Sequence, residues 1–228
     1  MTDVFGPEHV ATIRSELAAA LQASPEREAA ILGHPGSIYG ARNLLALWPG
    51  AAHVWRQPPL PDLLAAVLGP EYGLVRVLYF DKPPERSWAL PWHKDLTIAV
   101  RDNQRPSPRF AKPTRKAGVP HVEAPEEVLQ AMLTVRIHLD DMNDENGSLQ
   151  VLPGSHRSGT VLRLDEGLPR SIHVRQGDVL LMRPLLAHSS INARPGSQRH
   201  RRLVHLEFAA SPQLPDGYAW HTFLPGLI

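Results

Sequence analysis

His93 and Asp95 stand two residues apart in Pro91-Trp92-His93-Lys94-Asp95, and in an extended strand the side chains at i and i+2 leave the same face. An imidazole and a carboxylate on one face are two metal ligands, with Lys94 directed away. A second histidine from elsewhere would complete a two-histidine, one-carboxylate set, which keeps other coordination positions open and suits iron(II) oxygen chemistry. Spacing makes the pair possible without choosing the third ligand, since both His156 and His188 lie downstream. The chain has no cysteine, so disulfides, thiolate metal sites and cysteine nucleophiles are excluded together. Histidine and carboxylate are the strong ligands left.

Arginines near the C-terminus form a second group with chemical potential. In Arg201 to Phe208, alternation places Arg201, Leu203, His205 and Glu207 on one face and Arg202, Val204, Leu206 and Phe208 on the other. A guanidinium holds a carboxylate through two parallel charge-assisted hydrogen bonds, which lysine cannot reproduce. A register slip of one residue exchanges Arg201 and Arg202, so both stay open here. Met132, Thr134, Arg136 and His138 alternate with Leu133, Val135, Ile137 and Leu139, which predicts one packed face and one wet face able to line a pocket. Arg76 and Lys82 flank the first clear strand. Either can hold an anionic substrate or cosubstrate, although an exposed or salt-bridged side chain is the plainer reading.

These residues need elements to position them. Pro7-Glu8-His9 followed by Val10, Ile13, Leu17, Ala20 and Leu21 predicts an amphipathic helix, and Arg42–Trp48 and Pro61–Leu68 predict two more, the last stopped by Gly69-Pro70. Residues 1–70 therefore read as a helical part. From Leu74 the texture becomes β-branched and aromatic, with strands expected at Leu74–Phe80, Leu96–Val100, Met132–Leu139, Leu149–Leu152, Ser171–Val174, Val179–Arg183 and Arg201–Phe208. Strands at this spacing predict a mainly β fold with α additions: a double-sheet jelly roll over residues 71–210, with the N-terminal helices packed on one sheet. Arg101 to Pro125 shows no period and reads as a long loop, within an insertion at 101–130. Over residues 101–116, Arg101, Arg105, Arg109, Lys112, Arg115 and Lys116 face a single acid, Asp102. A solvated loop is the plainer reading, a phosphate contact or a lid the sharper one. Residues 211–228 read as a tail, and the whole of 1–228 as one domain.

Bulk composition narrows the partners. With 24 basic and 23 acidic residues the net charge is +1, so no overall field calls for nucleic acid. No apolar run approaches the roughly 18 residues of a membrane helix, and the opening residues lack a signal-like pattern, so a cytoplasmic protein acting on a small molecule is expected. Oligomeric state is not legible. The 23 prolines are about twice ordinary usage and sit at turns between periodic segments, implying many short elements.

Three ordered blocks carry a resemblance. Phe80-Asp81-Lys82-Pro83-Pro84 with Trp88 to Ile98 around His93 and Asp95 is the first. The second is Leu139-Asp140-Asp141, then Glu145-Asn146-Gly147-Ser148-Leu149 through Pro153-Gly154-Ser155-His156. Gln176-Gly177-Asp178-Val179 through Leu185-Leu186-Ala187-His188-Ser189-Ser190 is the third. Together with the arginine-rich last strand they resemble a bacterial branch of the phytanoyl-CoA dioxygenase family of Fe(II)- and 2-oxoglutarate-dependent oxygenases. Family members often carry Gln in place of Lys94, which leaves both ligands intact.

The resemblance implies a cupin-like double-stranded β-helix in which His93, Asp95 and His188 hold Fe(II), with His156 structural. It implies that Arg201, with Ser190 assisting, binds the distal carboxylate of 2-oxoglutarate, with Arg202 as the alternative anchor. Arg76, Lys82, Trp92, Thr134 and Arg136 are then candidates for substrate contact or support of the ligands. The implied reaction consumes O2 and 2-oxoglutarate, releases succinate and CO2, and hydroxylates an unactivated C–H bond of a small organic substrate, for which Arg136 suggests an anion. Asp95 is the carboxylate that related halogenases lack, which favours hydroxylation or a related oxidation. Two other readings stay open: an inactive jelly-roll binding protein, and a cupin-like metal-dependent hydrolase or isomerase.

Overall fold

The computed structural model describes residues 1–23, 31–34, 37–84, 87–165 and 167–226, with 31–34 and 37 as backbone only. Helix α1 (Pro7–Ala23) begins with proline, whose missing N–H costs nothing at that position, and turns Val10, Ile13, Leu17 and Leu21 inward. Burying each is worth roughly 1.5–3 kcal/mol as an upper bound. Strands β1 (Ile31–His34) and β2 (Ser37–Ala41) then form a hairpin where a helical stretch was expected. Gly40 and Ala41 pair with Phe80 and Tyr79, so a ladder to a distant strand overrides local propensity. Short helices α2 (Leu44–Leu47) and α3 (Leu60–Leu68) follow, and Gly69 at φ +89° ends α3.

The β region begins with β3 (Gly73–Lys82), β4 (Leu90–His93) and β5 (Thr97–Ala99). Next come β6 (Ala111–Lys116), β7 (Val119–Glu123), the short helix α4 (Glu126–Gln130) and β8 (Met132–His138). The chain closes with β9 (Leu149–Val151), β10 (Arg170–Ile172), β11 (Val179–Met182), β12 (His188–Ser190), β13 (Arg201–Ala209) and β14 (Leu224–Pro225). A large antiparallel sheet runs β1-β2-β3-β13-β8-β11, with β14 on β3, and a smaller one runs β10-β9-β12-β4. This is the expected jelly roll. The outward face of the large sheet, with Val135, Ile137, Val204, Leu206 and Phe208, shares one core with the apolar side chains of α1, α2 and α3.

The expected long loop at 101–125 is not a loop in its second half. There β6 and β7 join β5 in a third sheet, ordered β5-β7-β6, whose hairpin turns through Ala117 and Gly118 at φ +50° and +77°. Its basic side chains mask the pattern. Ala111 to Arg115 is exposed along the edge strand β6, and only Val119, His121 and Val122 of β7 are buried, too few to mark a period. The tail is likewise not loose, because Trp220 is buried and Leu224 pairs with Leu74.

Candidate metal centre and its polar chamber

His93 and His188 are direct partners across the antiparallel pair β4–β12. That register brings the two imidazoles together, tilted by 50° with ring centroids 4.2 Å apart. Asp95 follows the end of β4, where its N–H donates to the carbonyl of Pro184 at 2.9 Å. One ligand atom from each of His93, Asp95 and His188 lies within 4.8 Å of the others. His156 belongs to a short helical turn and is not in this cluster.

Second partners of the rings decide which nitrogens face the cluster. His93 Nδ1 lies 2.8 Å from the carbonyl of Pro91, and His188 Nδ1 lies 2.9 Å from that of Leu186. A carbonyl only accepts, so each Nδ1 holds the proton and each Nε2 keeps its lone pair toward the centre. Burial holds the His188 imidazole down at about 4, with Asp95 pulling the other way. Burial alone would raise Asp95, but His188, His205 and Arg136 outweigh it and keep the carboxylate ionised. Its Oδ2 is buried without a hydrogen-bond partner. Two imidazoles with Nε2 toward the centre and a carboxylate with an orphaned oxygen, aimed together, are a donor set that fits a divalent metal.

Cations surround the cluster. Arg136 on β8 reaches across from the large sheet, and its Nη2 lies a long 3.5 Å from His188 Nε2. Arg201 is buried opposite Lys82 on the ladder between β13 and β3. Its Nη1 donates to the carbonyl of Gly147 at 2.7 Å, while its Nε has no partner. Burial and then Arg136 push this guanidinium down to about 9. The same physics pushes Lys82 to about 7, through burial and then Arg201. Lys82 Nζ donates to Ser190 Oγ at 3.0 Å and to the carbonyl of Ile191 at 2.9 Å. Arg202, on the opposite face, is committed elsewhere: its Nε and Nη2 each donate to Asp140 at 2.8 Å.

Other expected residues divide. Thr134 is buried on the inward face of β8 with Arg136, opposite Glu207. Arg76 is tied in a buried ion pair, its Nε donating to Glu207 Oε2 at 2.9 Å, with His121 Nε2 at 3.0 Å from its Nη1. Trp92 precedes His93, and alternation puts it on the other face of β4. Lys94 also turns from the cluster, donating to the carbonyls of Ser155 and Gly159 at 2.8 and 2.6 Å and so clamping the Pro153-Gly154-Ser155 turn.

Sequence reasoning put His138 on the polar face of β8 and His205 and Glu207 on the Arg201 face of β13 without giving them a role, and it missed His121 in this interior. Neither ring nitrogen of His138 has a hydrogen-bond partner among the described residues, and burial, then Arg136 and Arg201, hold it at about 3. Alternation along β8 and β13 was the available signal for the first three. His121 had none, because its segment reads as loop.

A two-histidine, one-carboxylate cluster between the sheets of a jelly roll defines the class of mononuclear non-haem metal oxygenases. Residues 1–201 match the model of the family described as phytanoyl-CoA dioxygenase (PhyH), and the chain belongs to that family of Fe(II)- and 2-oxoglutarate-dependent enzymes. No curated protein matches the sequence. Among solved structures, the chain is 22% identical to EvdMO1 with a TM-score of 0.64, covering 91% of this chain and 46% of that one. The chain thus spans less than half of EvdMO1. EctD from S. alaskensis, solved with 2-oxoglutarate and 5-hydroxyectoine, is 19% identical with a TM-score of 0.67, covering 92% and 70%. The non-haem alpha-ketoglutarate-dependent epimerase SnoN from nogalamycin biosynthesis is 16% identical with a TM-score of 0.64, covering 100% and 78%. At these identities the likeness shows the fold. No helix among the described residues is long and apolar enough to cross a membrane.

Proposed function

We propose that the protein is a hydroxylase in which His93 Nε2, His188 Nε2 and Asp95 hold Fe(II) and Arg201 anchors the distal carboxylate of 2-oxoglutarate. The observation that carries this reading is a buried guanidinium that no carboxylate pairs among the described residues, tied to the strand of His188 through Lys82, which lies opposite Arg201 and donates to Ser190. When bound, the iron supplies the coupling of O2 and 2-oxoglutarate to oxidation of a C–H bond, with succinate and CO2 released.

The chain's own residues do the rest. Backbone carbonyls of Pro91 and Leu186 hold the protons at Nδ1 of both imidazoles and so fix ring orientation. Arg201, assisted by Ser190 and Lys82, binds and orients the cosubstrate, and release of the desolvation cost carried by these cations favours the dianion. Arg136 and Thr134 face the substrate, for which a small anionic molecule suits the Arg136 Nε that has no hydrogen-bond partner among the described residues. SnoN, which shares this fold, is an epimerase, so a protein of this fold can end elsewhere than in hydroxylation. Here we assign hydroxylation.

An anaerobic titration tests the assignment. One Fe(II) and one 2-oxoglutarate should bind per chain, and Arg201→Ala should weaken 2-oxoglutarate at least tenfold while sparing the metal. Full metal binding by the His93→Ala/His188→Ala double variant overturns the ligand set. Product analysis of a substrate panel that releases succinate should find a new hydroxyl group, and epimerised or desaturated product alone overturns the outcome proposed.

A further inference from the structure

A separate cleft of about 340 Å³ opens beside the edge of β3, lined by Leu45, Ala46, Val77, Val119 and Leu224 and by the guanidinium-bearing Arg42 and Arg76. Its origin is a gap in the ladder. β2 pairs with β3 at Tyr79 and Phe80, and β14 pairs with it at Gly73 and Leu74, so the edge from Val75 to Leu78 carries no strand partner among the described residues. Helix α2 and the segment from His221 to Leu224 bridge that gap without filling it.

We propose that this cleft is a second ligand site, distinct from the metal chamber, that takes a compact apolar carboxylate paired with Arg42. Four observations carry it. Arg42 is half-buried yet makes no hydrogen bond or ion pair among the described residues, which is costly for a guanidinium against apolar walls. Arg76 does not relieve it, because that charge is spent on Glu207, and the two arginines repel; burial and then Arg76 lower Arg42 below its ordinary range. Lys116 adds positive field nearby, its Nζ donating to Thr97 Oγ1 at 2.9 Å. Finally, the lining is mainly aliphatic, which excludes a wholly polar anion and favours a ligand with a short hydrocarbon body. One unpaired guanidinium matches one carboxylate; a dianion would need a second free donor that Arg76 and Lys116, both engaged, do not supply.

Hexanoate is the probe, titrated calorimetrically into the full chain with and without 2-oxoglutarate, and hexanol is the neutral comparator. Saturable binding of one hexanoate is expected, unaffected by 2-oxoglutarate and at least tenfold tighter than hexanol. Arg42→Met should weaken it about tenfold, the loss of one charge-assisted pair. Ala46→Trp, which fills the cleft from α2 and keeps the guanidinium of Arg42 in the chain, should do the same, and circular dichroism of both variants checks that the fold persists. Arg42→Lys should recover part of the affinity. No saturable hexanoate binding below roughly 10 mM, equal binding of hexanol, competition by 2-oxoglutarate, or unchanged affinity in both variants each overturns the proposal. The metal-site assignment survives any of these, since it rests on other residues.

Discussion

Arg201 and Arg202 are adjacent in sequence and opposite in consequence. Arg202 donates twice to Asp140 from a partly exposed face, so it contributes to stability, whereas Arg201 is buried with an unpartnered Nε and is costly until an anion arrives. Arg202→Met should therefore lower stability by about 1–2 kcal/mol in urea denaturation and leave 2-oxoglutarate affinity intact. Arg201→Met should do the reverse: no loss of stability in the ligand-free protein, and loss of 2-oxoglutarate binding. Lys82 obeys a related rule with a pH signature. Its folded-state value of about 7 lies below the ordinary 10.5, so the folded protein binds fewer protons than the unfolded chain between those values. Its cost to stability is full below pH 7 and fades as pH rises toward 10.5. Lys82→Met should raise the melting temperature of the ligand-free protein at pH 6.5, and the gain should shrink toward pH 10. A gain independent of pH would show that burial of Lys82 is not what the charge opposes.

Among the elements, the reversal at Asn146-Gly147 joins fold to site. Gly147 has φ +82°, and a Cβ there would meet the carbonyl oxygen of Ile191 at 2.5 Å, while its own carbonyl accepts from Arg201. Gly147→Ala should cost about 1–3 kcal/mol of stability and also weaken 2-oxoglutarate, by displacing the acceptor that aims the guanidinium. Loss of stability with unchanged 2-oxoglutarate affinity, measured on the same preparation, would separate the two roles. Much at this scale was legible beforehand. The helix α1 and the strands β3, β8, β11 and β13 show their period because one face of each is packed. The hairpin β1–β2 and the strands β6 and β7 were not legible, because partners distant in sequence form them and the exposed edge of β6 carries charge where an apolar period would be read.

For the molecule as a whole, buried titratable groups set an acid limit. His121 and His138 have folded-state values of about 4 and about 3, burial being the main cause, against an ordinary 6.5. Above pH 6.5 both folded and unfolded forms are neutral; below it the unfolded chain takes up protons that the fold refuses, so stability falls with pH. The slope is at most about 1.4 kcal/mol per pH unit for each group. Glu207, which burial would raise but Arg76 and His205 hold near about 2, adds a further loss as pH drops below its ordinary 4.5. Urea midpoints should thus decline between pH 7 and pH 5, and His138→Phe should flatten the decline. An unchanged slope in that variant would place the acid sensitivity elsewhere.

Part of the local chemistry was readable along the chain: an apolar and a polar side to β8, although both are buried, and the inward and outward arginines of β13 follow from a period of two, whereas Asp95 falls just past the end of β4 and reaches the cluster outside that period. What lay beyond reading was set by non-local pairing. The register of β12 on β4 brings His188 rather than His156 to His93, and Asp140 engages Arg202 so that its neighbour is left facing inward. Which cations end without a carboxylate, Arg136 and Arg201 in the chamber and Arg42 in its own cleft, depends on sheets closing over segments far apart in sequence. Composition counts charges, but only packing pairs them.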